Sequence, residues 1–216
     1  NNMDLRFKHP FTAIVAGPTS CGKTVFTKKF IDNIGAMCDV EFKKIIWHYA
    51  EMQSIYENSG LIEYKQGLPD MSSFTGLHPT LIILDDLMSE TGKIVVDIFT
   101  KGSHHRNLSV FYLTQNIFHQ GRGQRDISLN ANYLIFFKNP RDRSQIKYLA
   151  RQVFPENFKY VQEAYADATN RPHGYLMFDL KQSTPEHYRL RTNILPDEQP
   201  SYAYIPKKGY KYAKPY

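Results

Sequence analysis

Apolar residues in this chain gather into short, nearly solid blocks set between polar segments rich in glycine, proline and asparagine. Such blocks fill residues 11–16, 44–49, 80–84, 108–113 and 132–137. A run that is apolar at almost every position, rather than at alternate ones, predicts a strand covered on both faces, as in a parallel sheet. Between the blocks the period lengthens. Val25, Phe26, Phe30, Ile31 and Ile34 fall on one face of a helix that Gly35 ends. Further helices are predicted over a polar stretch at 51–58, over 91–101 with Ile94, Val95, Ile98 and Phe99 inward, and over 144–152 and 156–166. Residues 174–180 and 187–192 read as strands joined by a polar turn, a small C-terminal β-hairpin extension, and from 196 the chain reads as a tail. Strands alternating with helices predict an α/β fold with a mostly parallel central sheet flanked by helices.

The first strand runs straight into Gly17-Pro18-Thr19-Ser20-Cys21-Gly22-Lys23-Thr24, and the first helix follows at once. Strand, glycine-rich loop and helix in that order is the setting of the phosphate-binding motif G-x-x-x-x-G-K-[ST], the Walker A of P-loop NTPases. Gly17 and Gly22 let successive N–H groups turn inward around a phosphate chain. The helix start adds the positive end of its dipole. Lys23 is placed to reach the β- and γ-phosphates, and the Thr24 hydroxyl to ligate Mg²⁺. Residues 17–24 together with Val25 are therefore the candidate nucleotide-binding set, for ATP. A second polar signal ends the strand at 80–84, where Asp85 and Asp86 stand at the carboxyl edge of the sheet. Downstream of a phosphate loop this pair reads as Walker B, with Asp85 holding Mg²⁺ and Asp86 activating the attacking water. An acidic turn or a helix cap is the plain alternative.

Composition bounds these readings without altering them. The 216 residues are 42% hydrophobic, enough for one globular domain with a proper core. No apolar run approaches the ~18 residues of a membrane span, and no secretory leader is expected. Two cysteines give no disulfide framework and suggest a reducing compartment. The histidines and cysteines never fall at zinc spacing. A net charge of +6 permits a polyanionic partner. Part of that charge sits in a Lys/Tyr-rich tail, suited to contacting phosphates and stacking on bases, or simply to a solvated terminus. The expected division is a single ATPase domain over 1–195 and a basic tail over 196–216.

A polar pair, Thr114-Gln115, ends the 108–113 strand. Its place after the two Walker strands resembles the additional-strand branch of P-loop ATPases, in which this strand inserts between them. Gln115 is then a candidate sensor of the γ-phosphate, or else a glutamine satisfying loop backbone. Four blocks in order, G-P-T-S-C-G-K-T, L-I-I-L-D-D-L-M, S-V-F-Y-L-T-Q-N and L-N-A-N-Y-L-I-F-F-K-N-P-R-D, carry a closer likeness. They resemble the FtsK–HerA-type genome-packaging ATPases of double-stranded DNA viruses and of virus-like Polinton (Maverick) transposons. The resemblance spans roughly residues 8–195.

What it implies is a homo-oligomeric ring, a hexamer or pentamer, that hydrolyses ATP to drive double-stranded DNA into a capsid. The implied partners are the duplex, other subunits and a capsid or portal-like component, and the implied location is the virion or host cell interior. Rings of this type complete each site with an arginine from the neighbouring subunit. Arg106 resembles that finger by position, with Arg122 and Arg125 as alternatives. Lys93, Lys101, Arg122 and Arg125 are candidate DNA contacts. One departure is visible, since many relatives place glutamate where this chain has Asp86. Two other readings stay open on sequence: a small-molecule or nucleoside kinase, and a nucleotide-dependent scaffold with little turnover.

Overall fold

The computed structural model describes residues 3–54, 56, 60–85, 96–102, 106–115, 130–141 and 143–207. Its centre is a single sheet of nine strands. In chain order these are β1 (Thr12–Ala16), β2 (Lys44–Tyr49), β3 (Glu63–Gln66), β4 (Thr80–Asp85), β5 (Leu108–Thr114), β6 (Tyr133–Phe137), β7 (Tyr175–Asp179), β8 (Leu190–Thr192) and β9 (Tyr202–Ala203). Across the sheet the order is β3-β2-β4-β5-β1-β6-β7-β8-β9. Every pair from β3 to β6 is parallel, and every pair from β6 onward is antiparallel. The predicted insertion is present: β5 lies between β4 and β1, with Ile14 opposite Tyr112 and Asp85 opposite Leu113.

The pleat divides each apolar block between two cores, because successive side chains point to opposite faces. Ile14, Ile82, Leu84, Val110, Tyr112 and Leu134 belong to one face. That face is closed by α3 (Ser144–Val153) and α4 (Phe158–Ala168) through Ile146, Leu149, Val161 and Ala164. Val15, Trp47, Ile83, Phe111, Leu113 and Ile135 face the other way, under α1 (Lys23–Asp32), which contributes Phe26, Phe30 and Ile31. Both faces are covered, which is why the blocks read as solid rather than alternating.

Several expectations need correction. Gly35 does not stop the helix. α1 ends at Asp32, and a short α2 (Ile34–Met37) carries the chain through Gly35. Val25 is not on the buried face of α1, being 50% exposed. No helix forms at 51–54; Tyr56 N–H closes a turn on the Gln53 carbonyl at 3.0 Å. Of the helix expected at 91–101, the described part is helical at 96–97 and continues as a π-helical turn, Ile98–Gly102. The strand expected over 187–192 is shorter, because Glu186–Tyr188 winds into a 3-10 turn before β8. Two strands were not expected from the sequence. β3 is largely exposed and polar, as an edge strand tolerates. β9 lies within the expected tail, where it pairs with the otherwise open edge of β8.

Candidate active site

The loop after β1 is seated by its neighbours before any ligand is considered. Gly17 N–H donates to the Thr114 carbonyl at 3.1 Å, tying the loop's first residue to the end of β5. A Cβ at Gly17 would lie 2.6 Å from Cys21 Sγ and 2.9 Å from Phe137 Cβ, so only glycine fits that approach. The loop turns through Ser20, with φ of 64°, and Gly22, with φ of 113°, both in the left-handed region. α1 then begins, with Phe26 N–H donating to the Gly22 carbonyl at 2.9 Å. Backbone N–H groups at such a helix start are anion donors. Lys23 Nζ donates to the Gly17 carbonyl and, at 3.3 Å, to the Pro18 carbonyl, which lays the ammonium across its own loop.

Gln115 meets this loop directly. Its Nε2 donates to Thr19 Oγ1 at 2.9 Å, across 96 residues of sequence. On the far side, His173 Nδ1 lies 3.0 Å from the Cys21 carbonyl. Burial pushes the Cys21 thiol up from its ordinary value against the opposing pull of the Lys23 charge, so the group stays a neutral thiol near pH 7.

Asp85 closes β4 at the same edge of the sheet, one strand away from β1 across β5. It is 7% exposed, and a buried carboxylate must be hydrogen-bonded. Trp47 Nε1 donates to its Oδ2 at 3.1 Å, and the Tyr56 hydroxyl donates to the same oxygen. Tyr56 is itself held by stacking on Tyr49, with ring centroids 5.0 Å apart at 27°. Neither Trp47 nor Tyr56 belongs to a phosphate-site motif. A tyrosine inside an otherwise polar stretch was the only hint of the second. The hydroxyl of Thr24 and the carboxylate of Asp85 are hard oxygen donors of the kind Mg²⁺ prefers, and it usually takes one or two of them with phosphate and water. Among the described residues no group of three or more His, Cys, Asp or Glu gathers as a closed metal cage would require.

Arg106 stands at the opposite end of the sheet. It precedes the first residue of β5, and that strand's seven residues span about 23 Å at ~3.3 Å each before reaching the loop end. Its guanidinium donates to the Met71 carbonyl. Arg106 therefore does not reach the loop of its own chain. Asp86, Lys93, Arg122 and Arg125 lie outside the described residues, as does the side chain of Lys101.

No family model and no curated protein matches the chain. Solved structures do. The genome packaging NTPase B204 of Sulfolobus turreted icosahedral virus 2, in complex with sulfate, superposes with a TM-score of 0.54 at 15% identity, over 81% of this chain and 93% of that one. The same NTPase in complex with ATP-gammaS gives a TM-score of 0.53 at 14% identity. The cytoplasmic domain of the Thermomonospora curvata Type VII secretion ATPase EccC gives 0.53 at 11% identity, with this chain spanning only 24% of that larger one. With the loop and strand order described above, these likenesses establish the architecture: the chain has the P-loop NTPase fold in its additional-strand form, shared with a viral genome packaging NTPase.

Proposed function

We propose that this chain is an Mg²⁺-dependent ATPase that drives double-stranded DNA into a viral or virus-like capsid as a homo-oligomeric ring. The observation that carries the reading is the contact between Gln115 and Thr19. It joins the end of the inserted strand to the phosphate loop, so occupancy of the loop bears on β5 and on whatever β5 contacts. In this reading residues 17–25 cradle the phosphates, and Lys23 leaves the loop carbonyls to neutralise the β/γ oxygens. Thr24 and Asp85 would hold Mg²⁺, which would supply charge neutralisation on the phosphates. Asp86 takes a proton from a water whose oxygen attacks the γ-phosphorus, the bond to the β-γ bridging oxygen breaks, and ADP and phosphate leave. Gln115 positions that water.

Arg106, at the far end of β5, serves a neighbouring subunit rather than its own. Lys93, Lys101, Arg122 and Arg125 grip DNA through its backbone, insensitive to sequence and weakened by salt. A capsid or portal-like component is the docking partner, inside a virion or host cell. Among the described residues no helix is long and apolar enough to cross a membrane.

The test is phosphate release from ATP with and without duplex DNA, for the parent chain and for Asp86→Asn. Turnover without any phosphate acceptor, raised by DNA and lost in Asp86→Asn while ATP still binds, supports the proposal. Transfer to a small-molecule acceptor, or ATP binding with no turnover under any condition, would replace it with the kinase or scaffold reading.

A further inference from the structure

A cleft lies on the face of the sheet away from α1, between α4 and the loop that joins β6 to α3. It encloses about 400 Å³, within the ~300–1,000 Å³ range of ligand sites. Lys138 and Arg143 stand exposed at its mouth, while Ile146, 5% exposed, lies at its base beside the half-buried Tyr165. The carboxamides of Gln162 and Asn170 complete the α4 side. Among the described residues no carboxylate lines the cleft, and neither the Lys138 ammonium nor the Arg143 guanidinium has a hydrogen-bond or ion-pair partner. The two acids of α4, Glu163 and Asp167, are not among its walls, and Asp167 accepts from the Tyr204 hydroxyl at 2.6 Å. Positive charge continues beyond the mouth. Lys147 and Arg151 follow Arg143 at four-residue steps of about 6 Å along α3, both exposed, on a helix with no acid.

The walls are fixed by bonds of their own. The Tyr165 hydroxyl donates to the Phe137 carbonyl at 2.8 Å and accepts from Asn139 N–H at 3.2 Å, pinning the β6–α3 loop to α4. Asn139 Oδ1 in turn accepts from Arg141 N–H at 3.2 Å. Thr169 Oγ1 donates to the Tyr165 carbonyl at 2.6 Å, and Lys138 N–H to the Gly174 carbonyl at 3.1 Å. A cleft already braced in this way leaves little ordering for a ligand to bring about.

We propose that this cleft docks an acidic segment of a partner protein, one large apolar side chain resting on Ile146 and Tyr165 and flanking carboxylates held by Lys138 and Arg143. Charge complementarity selects an anionic partner, and the apolar base selects among anions. A duplex meets proteins through phosphates along a convex backbone and keeps its bases stacked inside, so it brings charge to the mouth and nothing to the base. A free phosphate likewise leaves the base uncovered. An extended acidic peptide supplies both parts, and Gln162 and Asn170 offer donors and acceptors to its main chain. Lys147 and Arg151 extend the attraction along α3, which favours encounter with an acidic partner. The cleft shares no lining residue with the phosphate loop, so this surface stands independently of the nucleotide reading.

The experiment pans a random heptapeptide display library on the full chain and measures the recovered peptides by fluorescence anisotropy. They should share aspartate or glutamate on both sides of a leucine, methionine, phenylalanine or tryptophan. Arg143→Glu should weaken such a peptide by about tenfold or more. Ala166→Trp, a change at an exposed lining position that fills the cleft and leaves the charge alone, should weaken it as much. Parental melting and ATP binding in both variants keep a loss here apart from a loss of the fold or of the phosphate loop. Recovery of peptides without the acidic and apolar pattern, or recovered peptides that bind Ala166→Trp as tightly as the parent, would overturn the proposal. A mixed-sequence duplex that displaces the peptide and itself loses about tenfold in Ala166→Trp would assign the cleft to nucleic acid instead.

Discussion

Removing one oxygen from Tyr56 tests how the acid at the end of β4 is held. Asp85 is buried to 7% exposure, and its Oδ2 accepts from both the Tyr56 hydroxyl and Trp47 Nε1. Tyr56→Phe keeps the ring, its stacking on Tyr49 and its packing, and deletes only the donor. A hydrogen bond to a charged group contributes roughly 1.5–3 kcal/mol, and leaving a buried carboxylate short of a donor costs on that scale. For a chain of this size each kcal/mol moves the midpoint by about 2–4 °C, so the melting temperature should fall by roughly 3–12 °C.

The second readout is local. Trp47 is the sole tryptophan, so its emission reports on the Asp85 contact without labelling. Titration with Mg²⁺ and ATP should change that emission in the parent chain. In Tyr56→Phe the Mg²⁺ midpoint should rise about three- to tenfold, because a carboxylate that has lost one of its donors is less pre-positioned. A variant with parental melting and an unshifted Mg²⁺ midpoint would show that Tyr56 does not hold Asp85. Melting lowered without a change in the Mg²⁺ curve would reduce Tyr56 to a packing residue.

Three further outcomes follow from other parts of the molecule. Arg191 and Asp179, both 4% exposed at the side chain, pair at 3.0 Å between β7 and β8, and Arg191→Met should cost roughly 3–5 kcal/mol, read as lost urea stability, because it leaves Asp179 charged and buried without that partner. Cys21 should alkylate more slowly at pH 8 than a free thiol, since burial raises its pKa above the ordinary value and the reactive thiolate therefore appears only at higher pH; mass spectrometry of reaction with iodoacetamide checks this, and an unusually fast reaction would contradict it. Lys23→Ala and Arg106→Ala subunits, each nearly inactive alone, should regain part of their ATPase activity when mixed, because some interfaces then join an intact loop to an intact arginine; no recovery in demonstrably mixed rings would exclude Arg106 as the shared residue.

The sequence by itself determined whatever depends on neighbours in the chain. Solid apolar blocks specify strands buried on both faces, which is why β1, β4, β5 and β6 fall within a residue or so of their expected ends. Eight consecutive residues after β1 mark the loop, because its left-handed turn at Gly22 is a local backbone demand that glycine meets. α3 and α4 were legible for the same reason, as their periodicity persists over three turns.

Tertiary structure decided whatever depends on who lies opposite. β3 has only Tyr64 to mark it, and it becomes a strand because β2 offers an open edge. β9 pairs with β8 although its residues are exposed. Val25 shares the helical period of Phe26 and Phe30 yet is half exposed, beside a cavity that Phe137, Tyr175 and Leu195 also line. Tyr56 and Trp47 reach Asp85, and His173 reaches the loop, across separations of 29, 38 and 152 residues. Arg106 illustrates the limit most directly. Its distance along the chain from Gln115 is short, but a strand is extended, so those few residues carry it to the other end of the sheet, away from its own loop.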